Sequence, residues 1–437
     1  VPDVSSDVTI EAPRDAAEAP VETARTRTES AARPRARKPW WRRRPARRGM
    51  VLAHRWVSLV LGLFLVVETT TGAIVLFHNE YFRATHSGFY RHTASSQPIG
   101  AERAFALVQQ AHPGFGAWVA PDHGVYVVGD ATYTEAYAVD PGTGHLNGHS
   151  HLTGGTMGLL VNLHDCAFTC VGYPGYVGWL THPIPTLGIS WLHAITWGSF
   201  VIGTLGLMMI LLALTGIATW WPGRKRLAHG LRVRTGKGRF ARDYDLHNLI
   251  GIIAVPFVLM WGVTGAAFEF PVVQTAWLAV TGGHGPDENR YPFEANEAPR
   301  GAPAVSLEQA SAVALQHAPG RVAYIVAPAD GAEYWSVDIA TGFASYNYRS
   351  FYGGDTDVYV DAHDPSHVKV VDTHGKPAGN RFYDKVFEPA HFGWMVNGWW
   401  RIGWVPFGLA PLALMVTGLS TWLFRRGVRR RRAKAAA

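Results

Sequence analysis

The chain has 437 residues, 48% of them hydrophobic, and a formal net charge of +7. A soluble protein of this length divides into two or three domains, but here the apolar residues collect in four long blocks, which excludes an ordinary soluble fold. The positive charge does not point to nucleic acid, because the basic residues crowd the block ends, where anionic lipid is the natural partner.

Residues 1–48 read as a disordered, basic cytoplasmic segment, its first 39 residues almost free of large apolar side chains. A first transmembrane helix follows at 49–78. Its apolar stretch Val51–Phe77 is too long for a signal-peptide core and has no small-residue cleavage pattern behind it, so it reads as a retained anchor. Residues 79–196 form a first extracytoplasmic module, 197–221 a second transmembrane helix, and 222–245 a basic cytoplasmic loop. A third transmembrane helix spans 246–270, a second extracytoplasmic module 271–399, a fourth transmembrane helix 400–424, and a basic cytoplasmic tail 425–437. Each apolar block exceeds the ~20 residues needed to cross a ~30 Å hydrocarbon core.

The stretches 33–48, 224–242 and 425–434 hold 24 of the 40 Lys and Arg residues. With four spans they share one side. The positive-inside rule makes that side cytoplasmic, with both termini inside the cell membrane.

The two outer segments repeat one another. The first carries an amphipathic helix over 101–114 closed by Pro-Gly, alternating stretches at Val125–Val128 and Glu135–Val139, and a turn at 140–144. The second carries a helix over 306–320, alternating stretches at Val322–Val326 and Tyr334–Ile339, and a turn at 340–342. Each is a small α+β module, and two copies set between paired spans make the chain an internal duplication. The spans repeat too. Thr71-Gly72, Thr215-Gly216, Thr264-Gly265 and Thr417-Gly418 sit one to a span, and small residues of this kind read as helix-packing pairs.

Measured from these pairs, His54 lies 17 residues before Thr71 and His247 lies 17 before Thr264. His391 lies 26 residues before Thr417, while His164 and His193 both precede the second span. Ionisable residues at membrane depth mark functional partners. Two imidazoles facing each other from the two repeats are what a bis-histidine haem requires, whereas zinc wants three or four ligands in one cluster. Gly62, Gly251 and Gly393 leave room for a flat macrocycle, and Trp56, Trp261 and Trp394 offer faces to cover it. The reading therefore predicts b-type haem held by His54 with His247, and a second haem held by His391 with His164 or His193. Glu68 has two readings, a proton or substrate contact and a hydrogen bond into Thr69–Thr71. His363, His367 and His374 are candidates to touch an iron chelate, or plain polar surface. Cys166 and Cys170, the only cysteines, predict a local disulfide on the oxidising side.

At these residues the chain resembles the PepSY-associated transmembrane family of iron-regulated membrane proteins, which includes bacterial inner-membrane ferric-siderophore reductases. The resemblance covers about residues 48–426. It rests on Arg48, His54-Arg-Trp56, two PepSY-like modules and Leu163-His164. Thr215-Gly-Ile-Ala-Thr-Trp-Trp-Pro222, Asp245-Leu-His247 and Thr417-Gly-Leu-Ser-Thr-Trp422 complete it. It implies a mainly α membrane protein with four transmembrane helices and two α+β modules, b haem bound through span histidines, and electrons passed outward to a ferric siderophore or another iron chelate. In the family a Leu-His stands about as far before the second Thr-Gly as His391 does before the fourth, so His164, 51 residues before Thr215, implies an insertion of about 25 residues. The Leu-His context favours His164, with His193 as the alternative.

No nucleotide-binding glycine motif follows a strand and the cytoplasmic loop is too short for a flavin or nicotinamide domain, so electrons must come from quinol or a membrane electron donor. The rival reading is a membrane-anchored PepSY binding or regulatory module without redox activity. A third is an accessory subunit of a transporter.

Overall fold

The computed structural model describes residues 44–193, 195–284, 304–329, 332–340, 356–371, 377–393 and 399–436. Most of the N-terminal segment, the 341–342 part of the second turn, His374 and Trp394 lie outside them. Among the described residues four helices are long and apolar enough to cross a membrane: Pro45–Val75, Trp197–Trp220, Arg239–Glu269 and Trp400–Ala436, here spans one to four. The protein is a multi-pass membrane protein. In hydrocarbon each backbone N–H and C=O needs an internal partner, which a continuous helix supplies. Pro256 is accommodated inside span three. Span four begins with short helical turns and becomes regular from Ala410, with Pro411 in its first turn, where a missing N–H costs little.

Spans two and three approach backbone to backbone. A Cβ on Gly206 would lie 2.8 Å from the Ala266 nitrogen and 2.9 Å from the Gly262 oxygen. This small-residue crossing, and not a Thr-Gly pair, sets their contact. Span four is tied to the end of span one by buried Arg401, which donates to the Leu76 carbonyl at 2.9 Å and pairs with Glu80. At the opposite, basic end Arg234 forks onto Asp245 (2.8 and 2.9 Å), and Ser420 donates to Asp243 at 2.6 Å.

Both modules form, each as a helix over a four-stranded antiparallel meander, yet they are not separate bodies. Their strands are β1 (Trp118–Asp122), β2 (Val125–Gly129), β3 (Glu135–Val139) and β4 (Leu146–His151), then β5 (Arg321–Val326), β6 (Tyr334–Ala340), β7 (Thr356–Asp361) and β8 (Val368–Val371). They make one eight-stranded sheet in the order β4-β3-β2-β1-β5-β6-β7-β8. The two meanders mirror each other about the β1–β5 seam, where Trp118 pairs with Val326 and Val119 with Ile325.

The module helices Ala101–Ala111 and Leu307–His317 share one face of the sheet. Ala104, Phe105, Val108, Ala310 and Ala314 pack there on Val119, Val128, Ile325, Val337 and Val358. The other face packs Trp118, Val127 and Tyr324 with Phe82 and Phe89. Trp118 is fully buried at the seam, donates to the Asp130 carbonyl at 2.8 Å and stacks on Tyr133. Gly129 makes that possible, since a Cβ there would lie only 1.9 Å from the indole Cζ2. Trp118→Ala should therefore cost about 3–5 kcal/mol, read as a lowered midpoint in denaturant unfolding of the full chain in detergent; an unchanged midpoint would contradict the seam packing.

Candidate functional site

The histidines singled out from the sequence fall into two pairs, at opposite ends of the helical bundle. At the basic end, span one presents His54 and span three presents His247, their ring centroids 6.3 Å apart and their planes at 84°. At the sheet end, His164 meets His391 with centroids again 6.3 Å apart and planes at 44°. His164 sits in the helix Gly155–Cys166 and His391 in the short helix Glu388–Phe392. His54 and Thr71 are separated by 17 residues of one helix, roughly 25 Å at 1.5 Å per residue. Because Thr71 is beside His164, the pairs lie in opposite halves of a membrane.

Each Thr-Gly pair faces one of these histidines. Thr215 Oγ1 stands 3.0 Å from His54 Nδ1, Thr417 Oγ1 3.1 Å from His247 Nδ1, Thr264 Oγ1 2.6 Å from His391 Nδ1, and Thr71 Oγ1 3.5 Å from His164 Nδ1. The tautomer follows from the threonines' other contacts. Each hydroxyl donates to the carbonyl four residues back: Leu211, Ala413, Met260 and Val67. It must therefore accept from the ring, so Nδ1 carries the hydrogen. The Leu414 carbonyl at 3.0 Å from His247 Nδ1 and the Glu68 carbonyl at 2.9 Å from His164 Nδ1 require the same, as carbonyls only accept. Nε2 is then the unprotonated nitrogen on all four rings, with Nδ1–H anchored to the protein in the way ligating histidines commonly are.

The glycine next to each threonine lies against the ring. A Cβ on Gly72 would lie 2.5 Å from His164 Cε1, one on Gly418 3.2 Å from His247 Cε1, and one on Gly216 3.5 Å from His54 Cε1; at Gly265 the distance to His391 Cε1 is 3.9 Å. The sequence reading took these pairs for packing elements; their position beside the rings makes them histidine cradles as well. The pattern follows the duplication. The histidine of the first span in each repeat is held by the second span, and the histidine of each module is held by the first span.

His164 owes its place to local structure. Its helix ends at Cys166, with Ala167 in a left-handed cap. Fully buried Asn162 donates to the Pro174 carbonyl at 3.0 Å and accepts from the Cys170 N–H at 3.0 Å, and a Cys166–Cys170 disulfide closes the turn. The extra residues between this helix and span two run through two short turns, and His193 is exposed at the end of the second. On the other side Trp261 donates to the His391 carbonyl at 3.1 Å and Trp404 to the Ala390 carbonyl at 2.8 Å. Burial pushes His164 down to about 4, opposed by its bond to the Glu68 carbonyl, and burial beside His164 pushes His391 down to about 3. Both rings are neutral at physiological pH.

A cavity of about 270 Å³ opens beside the sheet-end pair, among all four spans, lined by both rings, Gly72, Gly265, Met209, Phe268 and Trp404 and by the acidic residues Glu68, Asp165 and Glu269. The Glu68 side chain does not bond into Thr69–Thr71: Thr69 and Thr71 donate to main-chain carbonyls of their own helix, Thr71 to that of Glu68 among them, and Glu68 Oε1 stands 3.2 Å from His164 Nδ1. Trp56 is exposed and covers neither pair. His363 and His367 belong to the β7–β8 turn, beside Glu333 and Asp361.

Among the described residues no group of three or more His, Cys, Asp or Glu side chains is arranged to hold a bare metal ion. Each pair offers two nitrogens, which suits an iron whose remaining positions are filled by a porphyrin. The spacing fits: roughly 2.0–2.1 Å from a metal to each nitrogen, and about 1.1 Å more to each ring centre, give about 6.3 Å between centroids. No curated protein matches the chain significantly. The model of the PepSY-associated TM region matches residues 51–425, most of the chain, and the protein belongs to that family.

Proposed function

We propose that the protein is a b-haem electron carrier that moves electrons across the cell membrane and reduces a ferric siderophore or another iron chelate at the sheet end. The observation that carries this reading is the fourfold Thr-Gly cradle, which leaves two pairs of imidazoles with unprotonated Nε2, one pair at each end of span one. The basic end is then cytoplasmic, with both termini inside and the sheet outside, as the positive-inside rule requires.

Bound at these pairs, haem b supplies one-electron transfer. The chain's residues hold the imidazoles, fix their tautomers and exclude water with an apolar surround. One electron delivered to an Fe(III) chelate gives Fe(II), which hard oxygen ligands hold less tightly, so the substrate end needs no general acid or base. The electrons come from quinol or from a membrane electron donor.

A dithionite-reduced minus oxidised spectrum of the detergent-purified protein, with haem quantified per chain, tests the reading. A b-type α-band at about two haems per chain is expected. Protein without haem after expression with ample haem supply would overturn it and favour the anchored binding module.

A further inference from the structure

Away from the histidine pairs, one surface segment differs from the rest of the chain in composition. Residues 167–196, between the His164 helix and span two, contain no Asp, Glu, Lys or Arg. At the overall share of 17% charged residues, these thirty residues would carry about five. The segment is nonetheless at the surface. Val171, Tyr176, Trp179, Leu187, Ile189 and Trp191 are all exposed, Leu187 by 85% and Trp179 by 61%.

The segment is seated on the bundle. Pro183 bridges to Thr196, the Ile184 N–H donates to the Ile195 carbonyl at 2.9 Å, and Ile184, Leu192 and Ile195 pack on Phe270 at the end of span three. A Cβ on Gly198, in the first turn of span two, would lie 3.0 Å from the Cys166 carbonyl. Apolar side chains therefore point both inward, onto the span ends, and outward. The same surface continues on either side. Trp197, Phe200 and Val201 are exposed at the start of span two, and the uncharged helix Pro271–Thr281, whose Val273 packs on the same cluster, exposes Val272 and Val280.

A contiguous exposed apolar patch marks a protein or a membrane contact. A protein interface surrounds its apolar centre with a polar rim, and this segment brings no charged side chain to one. Lipid requires none, and Trp and Tyr favour the headgroup level.

We propose that residues 167–196 lie in the membrane interface on the sheet side, with Trp179, Leu187 and Ile189 sunk into the boundary between headgroups and acyl chains. Buried Asn162 ties Pro174 of this segment to the His164 helix, so the lipid contact also fixes that helix relative to the bilayer. The placement requires no cofactor.

Single cysteines carrying a thiol-reactive fluorophore test it, in the full chain reconstituted into phosphatidylcholine vesicles. Cys166 and Cys170 are paired in a disulfide and do not take the label. Leu187→Cys and Trp179→Cys replace exposed side chains, so folding does not decide the outcome. Gln110→Cys on the module helix is the water-facing reference, and Leu207→Cys, exposed midway along span two, is the lipid-core reference. At both test positions we expect blue-shifted emission, loss of emission to a nitroxide carried high on a lipid acyl chain, and little quenching by aqueous iodide. A nitroxide near the chain end should quench Leu207→Cys more than either, because an interfacial segment sinks only roughly 5–10 Å. Should the two positions differ, Leu187, the more exposed, decides. Emission and quenching like those of Gln110→Cys overturn the proposal. A blue shift without nitroxide quenching, as a second copy of the chain covering the segment would give, overturns it as well.

Discussion

His164→Ala is expected to lower the haem content from about two per chain to about one, while His193→Ala leaves it unchanged. The distinction is geometric. His164 is fixed between Glu68, Thr71 and Gly72 of span one and faces His391 at 6.3 Å, whereas His193 is exposed at the end of a short turn. His391→Ala should remove the same haem as His164→Ala, and His54→Ala or His247→Ala the other, because the pairs sit at opposite ends of span one. Haem per chain by pyridine haemochrome, with the size-exclusion profile as a check on folding, reads all five variants. Loss of haem from His193→Ala with retention in His164→Ala would reverse the assignment at the sheet end. Unchanged haem in His54→Ala or His247→Ala would remove the basic-end pair.

The second large effect concerns the bundle itself and is independent of any cofactor. Gly206→Ala and Gly262→Ala should each lower the thermal unfolding midpoint in detergent, whereas Gly62→Ala and Gly251→Ala should leave it unchanged or raise it. Alanine is favoured over glycine in a helix by about 1 kcal/mol, so only steric conflict can reverse the sign. At Gly206 the new methyl would meet backbone atoms of span three at 2.8 and 2.9 Å, and at Gly262 it would meet Ile210 at 2.9 Å and the Gly206 oxygen at 3.0 Å. Overpacking of that kind costs about 1–3 kcal/mol, and backbone cannot give way as a side chain can. At Gly62 and Gly251 the nearest atoms are Met415 Sδ at 3.8 Å and a Leu414 methyl at 3.6 Å, ordinary contact distances. A rise in midpoint for Gly206→Ala would show that spans two and three do not cross there.

Much of the candidate site was legible because the duplication supplied a measure along the chain. His54 and His247 stand out only by their equal offset from Thr71 and Thr264, an offset that a repeated helix preserves whatever surrounds it. The same measure failed before span two, where inserted residues break the equivalence and leave His164 and His193 at 51 and 22 residues from Thr215. What separates them is burial against span one, which chain distance does not encode. The threonines were seen but assigned only to packing. Their acceptor role needs a neighbouring helix: His54 reaches Thr215 on span two and His247 reaches Thr417 on span four, partners more than 150 residues away in the chain. A threonine bonded back to its own helix and one that also receives an imidazole N–H look the same in sequence. Glu68 was likewise visible as a carboxylate at membrane depth, but its partner, His164, lies on another element.

By itself the sequence determined the four spans, the repeated helix-and-strand modules and which histidines stand at matching offsets in the two repeats. These are local or periodic properties: uninterrupted apolar length for a hydrocarbon layer, alternation for half-buried strands, and equal spacing within a repeat. The tertiary structure alone decided that both modules share one sheet through β1 and β5, that spans two and three touch at Gly206 and Gly262, and which histidines face each other. Each of those depends on groups remote in the chain meeting at a few ångströms. Strand edges, glycine surfaces and imidazole nitrogens can satisfy themselves with many partners, and only the packed fold selects one.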